Sequence, residues 1–281
     1  MNIYKSLNDY SLDATLVMAV WLGLLSYWFS VNLPWWLYPW VASLTWIAYT
    51  WDRLIDSYLQ PDLINSTAKQ LFSIRHAKHK KHQKVIFYTQ GVLTPLVLWG
   101  FVALPNKFWS FIPLMGLLCL SYIGLTYLNK KYFNTIISLG RAKHLMASMI
   151  LCLGLVTLVN SYSTDNLCNY SKLTVLAVII YLFWTNMRCC EYWDTSNPKL
   201  QTKYYLSLEI VFSLLFILFA YIFKANSLTI NLPLSFILII IMTLGSYIYL
   251  LLSSDIWMKP YRLYLADMSL IAYPLVILAL F

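Results

Sequence analysis

Long apolar runs alternate with short polar connections along almost the whole chain. The runs occupy 14–29, 35–51, 85–104, 108–128, 145–159, 173–185, 204–223, 232–252 and 265–281, after a polar and mixed opening segment at 1–13. A helix that crosses a bilayer needs about 20 residues, within a usual range of about 17–25. Several runs fall slightly short, so each is expected to extend into its polar flanks. The sixth is the weakest. The pattern predicts an all-α fold: a polytopic membrane bundle of about nine transmembrane helices, forming a single domain over 1–281. No repeat of the soluble kind is visible. An acidic motif follows the second run and another follows the sixth, which hints at two four-helix halves.

Composition supports the membrane class. Of the 281 residues, 60% are hydrophobic and 11% charged, and the mean hydropathy is +0.64. A soluble domain is about half apolar and about a quarter charged. The five cysteines are Cys119, Cys152, Cys168, Cys189 and Cys190; they are odd in number and mostly lie inside apolar runs. They form no disulfide framework and no CxxC metal pattern. The N-terminal segment carries one lysine, and its first apolar run lacks a small-residue cleavage site, so that run reads as a retained helix.

Charge sets the orientation. Of the 20 lysines and arginines, all but Lys107, Lys172 and Lys224 lie in the N-terminal segment or in the loops after the second, fourth, sixth and eighth runs. Positive-inside bias places the N-terminus and these motif loops in the cytoplasm and the C-terminus outside, as in a multi-pass protein of the cell (inner) membrane. The net charge of +9 is then a topology signal with affinity for anionic membrane lipids and anionic substrates. It does not call for nucleic acid. Asp52, Asp56, Asp62, Glu191, Asp194, Asp255 and Asp267 fall at or near the cytoplasmic ends, and no charge falls near a helix midpoint. That argues against a proton relay, a voltage sensor or a transporter.

The stretch Ala48-Tyr49-Thr50-Trp51-Asp52-Arg53-Leu54-Ile55-Asp56 closes the second run. Asp52 and Asp56 are four residues apart, on one helix face, with Arg53 between them. The dipole at a helix C-terminus disfavours anions. Two carboxylates aimed the same way repel unless a cation lies between them, and a divalent ion carrying a diphosphate meets that need. The bland alternative is a pair of solvated acids at a helix end. The theme recurs in Asn186-Met187-Arg188-Cys189-Cys190-Glu191-Tyr192-Trp193-Asp194, where Glu191 and Asp194 are three apart. Asn186, Glu191 and Asp194 offer oxygen ligands opposite Asp52 and Asp56; otherwise they end a helix before Ser196-Asn197-Pro198.

Tyr127-Leu128-Asn129-Lys130-Lys131 and Arg141-Ala142-Lys143 form a basic set. Topology charge accounts for some of it. The sharper reading is a cationic clamp that assists the departure of a diphosphate. The dense stretch from Arg75 to His82 reads as a basic helix against anionic lipid, with Arg75 or Lys78 reaching phosphate as the functional version. Aromatic residues make up 17% of the chain. Most suit interface belts and packing, and some would stabilise a carbocation by cation–π attraction.

This pattern resembles the UbiA superfamily of intramembrane prenyltransferases over nearly the whole chain. The corresponding motifs are Ala48–Asp52–Asp56 after helix 2, Tyr127–Lys131 after helix 4, and Asn186–Glu191–Asp194 after helix 6. The resemblance implies a UbiA-like helical bundle open to lipid. It also implies Mg2+-dependent transfer of an isoprenyl group from its diphosphate, with metal and diphosphate roles at Asp52, Asp56, Asp194 and Lys131. Ala48 stands where an asparagine is expected. Cys190 stands where an acid is common, leaving Glu191 to compensate.

The expectation is a membrane prenyltransferase, a transferase of alkyl groups other than methyl. Its site has Asp52, Asp56, Glu191 and Asp194 as catalytic residues and, with Asn186, as Mg2+ ligands. Arg53, Tyr127, Lys130, Lys131, Arg141, Lys143 and Arg188 bind the diphosphate. Its partners are a prenyl diphosphate, a hydrophobic acceptor, aromatic or lipid, and the membrane. Two alternatives stand beside it: a UbiA-type terpene cyclase, which needs no acceptor, and a degenerate, non-enzymatic lipid-binding membrane protein.

Overall fold

The computed structural model describes residues 12–58, 82–132, 137–164, 170–194, 206–207, 209–211, 234–252 and 262–280. Every regular element among them is helical. In chain order these are α1 (Leu12–Trp28), α2 (Leu37–Tyr58), α3 (Gln83–Ala103), α4 (Asn106–Trp109), α5 (Ile112–Tyr132), α6 (Ile137–Ser161), α7 (Tyr170–Asp194), α8 (Leu234–Leu252) and α9 (Arg262–Leu280). Residues 206–207 and 209–211 are helical too. The rest of the expected run at 204–223 lies outside the described residues.

Three boundaries differ from those of the apolar runs. The acidic motifs are helical, as their spacing predicts: α2 continues to Tyr58 and α7 to Asp194, so both carry their carboxylates on helical backbone. The run at 108–128 is broken instead. Its first residues belong to the short α4, and the chain turns before α5 starts at Ile112. Pro113 explains the restart. Proline lacks the N–H that a helix interior requires, but it is tolerated in a first turn, where that N–H has no intrahelical partner.

Helix α1 is apolar nearly all round, and such a helix belongs inside. Val17, Met18, Trp21, Leu22, Leu24 and Leu25 are buried, and α1 packs against α2, α6 and α9. Trp21 fastens it: the fully buried indole donates to the Leu270 carbonyl of α9 at 3.0 Å and meets Phe183 of α7 edge-on at 5.6 Å. Helix α7 packs in turn against α6, α8 and α9, α5 lies on α6, and α3 lies on α2. The α1 helix ends with Ser30 at φ 51°; Ser30 and Val31 donate to Tyr27 and Ser26, capping its last carbonyls.

The outer faces are greasy. Val85, Tyr88, Val92, Leu98 and Val102 of α3 are exposed, as are Leu114, Leu117, Leu120 and Ile123 of α5. A soluble monomer does not leave such stripes in water. The helical stretches Gln83–Ala103, Ala142–Ser161 and Lys172–Cys190 are long and apolar enough to cross a membrane, and shorter apolar stretches lie in α1, α5, α8 and α9. The protein is a membrane protein, all-helical over the described residues. Polar contacts between helices fit that setting, because a polar group facing lipid has no water to bind. Gln90 of α3 donates to Thr50 of α2 at 2.8 Å, with both side chains buried.

Candidate active site at the motif end of the bundle

The chain order of the helices carries the start of α1, the end of α2, the end of α5, the start of α6, the end of α7 and the start of α9 to one end of the bundle. Here the sequence changes from apolar to polar on each helix.

On α2, Tyr49, Asp52 and Arg53 share one face. The Arg53 guanidinium donates to the Tyr49 hydroxyl at 3.1 Å and lies 5.1 Å from the centre of its ring. Asp52 is held from two other helices. The Tyr122 hydroxyl of α5 donates to Asp52 Oδ1 at 2.7 Å, and Lys143 Nζ of α6 is 3.6 Å from the same oxygen. Lys143 also lies 5.5 Å from the centre of the Tyr122 ring. The three side chains therefore make a closed triangle of acid, phenol and ammonium. The basic residue was expected in the site; Tyr122 was not. One turn along α5 from Tyr122, the Thr126 hydroxyl is buried and has no hydrogen-bond partner among the described residues.

On α7, Asn186 is buried and donates to Asp267 Oδ1 of α9 at 2.9 Å. The Cys190 thiol lies one turn along α7, 4.0 Å from Asn186 Oδ1 and 4.0 Å from Asp267 Oδ1. Arg188 points elsewhere. Its guanidinium meets the Glu209 carboxylate at 2.5 and 2.7 Å and stacks 4.8 Å from the Trp184 ring centre. Beyond the apolar part of α7, burial pushes the Tyr192 phenol up, against the opposite pull of the Arg262 guanidinium.

Two acids that the motif reading did not place in the site belong to this end. Asp13 is buried in the first turn of α1, and Asp267 sits early in α9. The Tyr49 hydroxyl lies in the electrostatic field of both, together with that of Arg53. The signal available in the sequence was a lone carboxylate within one or two turns of an apolar helix terminus. Ionisable groups in such segments are uncommon and mark functional positions.

Other expected site residues have helical backbone here. Asp56 is on α2, Tyr127, Lys130 and Lys131 are on α5, Arg141 is on α6, and Glu191 and Asp194 are on α7. Their side chains lie outside the described residues, as do Arg75 and Lys78.

Among the described residues, no three His, Cys, Asp or Glu side chains group tightly enough to hold a metal ion by themselves. The donor chemistry still fits a hard divalent cation such as Mg2+. Asp52 and Asp267 supply carboxylate oxygens and Asn186 an amide oxygen, all hard donors suited to such an ion. Asp52 has one oxygen engaged by Tyr122 and Lys143, and its Oδ2 has no partner among the described residues. Comparison with known proteins yields nothing similar: no family model, no curated protein and no solved structure matches the chain.

Proposed function

We propose that the protein is a Mg2+-dependent integral membrane prenyltransferase, moving an isoprenyl group from a prenyl diphosphate to a hydrophobic aromatic or lipid acceptor. In this reading it spans the inner membrane about nine times as a UbiA-like bundle, with the motif end in the cytoplasm. The observation that carries the proposal is the triangle of Asp52, Tyr122 and Lys143 on three helices, at the same bundle end as Asn186 and Asp267. Acid and amide oxygens on two sides, with cations beside them, suit a metal–diphosphate headgroup whose apolar tail runs between the helices.

The chain's own residues divide the work. Asp52, Asp56, Asn186, Glu191 and Asp194 would hold Mg2+. When bound, the ion neutralises the charge that builds on the departing diphosphate. Tyr122 and Lys143 fix the Asp52 carboxylate so that its remaining oxygen faces one direction, which lowers the reorganisation needed at the moment of reaction. Lys143, Arg53, Lys130, Lys131 and Arg141 share the phosphate charge. Breaking the C1–O bond leaves its electron pair on the diphosphate and an allylic cation on the prenyl chain. The acceptor gives an electron pair to C1 and loses a proton. Trp and Tyr faces near the tail stabilise the cation through their ring quadrupoles.

The test is a double variant, Asp52→Ala with Asp56→Ala, assayed as purified protein with Mg2+, prenyl diphosphate and candidate acceptors. Loss of turnover is the expected result, and full activity overturns the proposal. Incubation with prenyl diphosphate alone separates a transferase from a cyclase. The transferase leaves the diphosphate intact, whereas a cyclase releases a cyclic hydrocarbon.

A further inference from the structure

The α7 half of the site has its oxygen ligands distributed unevenly. Asn186 and Cys190 stand one turn apart on the same face of α7, and the thiol is a poor donor to a hard cation. Glu191 is five residues after Asn186, which rotates its position on α7 by about 140° from that of Asn186. Asp267 of α9 reaches the Asn186–Cys190 face directly. Its Oδ1 accepts from Asn186 Nδ2 at 2.9 Å and lies 4.0 Å from Cys190 Sγ. The bond to Nδ2 fixes the rotamer of Asn186 and turns its Oδ1 to the same side as the thiol, at 4.0 Å.

A second observation points to a ligand at this place. Tyr247 of α8 is completely buried, and its hydroxyl makes no hydrogen bond of ordinary geometry. It lies in the field of Asp267 and Cys190 and approaches Ser269, whose own hydroxyl donates to the Ala266 carbonyl at 2.7 Å. A buried phenol with only the Ser269 hydroxyl beside it among the described residues costs free energy unless something accepts from it. A water or phosphate oxygen on a cation held by Asp267 would do so.

We infer that Asp267 is a metal ligand: α9 delivers, beside Asn186 and Cys190, the carboxylate that completes the α7 half of the cation site. The inference rests on the metal–diphosphate reading above and extends it to a helix that carries no motif. The cation is a hard divalent ion held by the Asp267 carboxylate and the Asn186 amide oxygen, with diphosphate oxygens and water filling the remaining positions. Cys190 gives the site its room and no charge.

The experiment titrates Mn2+ into the purified full chain in the presence of inorganic diphosphate, read by electron paramagnetic resonance, with the melting temperature measured without metal as a control on folding. Asp267→Asn keeps the shape and the bond to Asn186, and it is expected to weaken Mn2+ binding about tenfold or more, on the scale seen when support of a metal site is removed. Adding Cys190→Asp to that variant is expected to restore binding, because it returns a carboxylate to the same place from α7. Cys190→Asp alone is expected to tighten Mn2+ binding, and this arm holds even where Asp267→Asn fails to fold. Unchanged Mn2+ affinity in Asp267→Asn, or a Cys190→Asp variant that binds no better and melts lower from acid–acid repulsion, overturns the role of Asp267 alone. Wild-type protein that binds no Mn2+ overturns the metal reading of the whole site as well.

Discussion

The Tyr122 hydroxyl of α5 donates to the Asp52 carboxylate of α2 across 70 residues of sequence, at 2.7 Å. This bond links two helices whose main packing partners are others: α2 lies on α1 and α3, and α5 lies on α6. A phenol in that position orients the acid without adding charge. Tyr122→Phe removes the bond and keeps the ring. A hydrogen bond to a charged group contributes about 1.5–3 kcal/mol, so turnover is expected to fall about 10- to 100-fold. The melting temperature in detergent is expected to stay near that of wild type, because Asp52 keeps contact with solvent. A steady-state assay beside a thermal melt checks both parts.

Lys143 faces the same carboxylate at 3.6 Å, with the two side chains 17% and 28% exposed. A pair that open contributes at most about 1 kcal/mol to stability. Under the proposed function its larger effect falls on the anionic substrate. Lys143→Met is expected to raise KM for the prenyl diphosphate about tenfold or more while shifting the melting temperature little. Lys143→Arg keeps the charge but replaces a compact ammonium with a planar fork, and it is expected to recover binding only in part. A variant series with equal KM values contradicts this role.

Trp40 of α2 is buried and donates its indole N–H to the Val97 carbonyl of α3 at 2.9 Å. Gly100 is one turn along α3, where a Cβ atom would lie 2.0 Å from Trp40 Cδ1 and Nε1. Only hydrogen fits there. Gly100→Ala must displace a rigid, fully packed ring, and overpacking of this kind costs about 1–3 kcal/mol. The expected result is a lower melting temperature in detergent. Gly91 is a matched control on the same helix, since nothing lies within 4 Å of its added Cβ. Gly91→Ala is expected to leave the melt unchanged or raise it slightly.

The helices were legible because apolar runs of near-spanning length declare themselves. Their polar ends were legible because paired acids at helical spacing, Asp52 with Asp56 and Glu191 with Asp194, recur there. Partners from other helices were not. Spacing to Lys131 singled out Tyr127, whose side chain lies outside the described residues; Tyr122, five residues earlier and about 140° away round the helix, bonds Asp52. No local pattern marks Tyr122; the rotation of α5 against α2 does, and that is a tertiary quantity. Asp267 and Asp13 were hidden for a related reason. Each is a single acid in an otherwise apolar helix, and only packing reveals which face it shares. Lys143 was found as part of a basic cluster, and the structure adds its acid partner.

Arg188 illustrates the same limit and gives a last test. Spacing along α7 placed it among the cations available to a diphosphate. The structure pairs it with Glu209 at 2.7 and 2.5 Å, with the arginine side chain 10% exposed and the glutamate 35%. Removing one member of a largely desolvated pair leaves the other uncompensated. Arg188→Met and Glu209→Gln are each expected to destabilise the protein by about 1–3 kcal/mol, a range discounted for the exposure of Glu209. The double variant is expected to lose clearly less than the two together, because the second change removes the charge that the first one stranded. Neither change should move KM for the prenyl diphosphate if the guanidinium holds residues 209–211 against α7. A KM raised tenfold by Arg188→Met and untouched by Glu209→Gln would instead assign the arginine to the substrate, and the pair with Glu209 would then be its resting position.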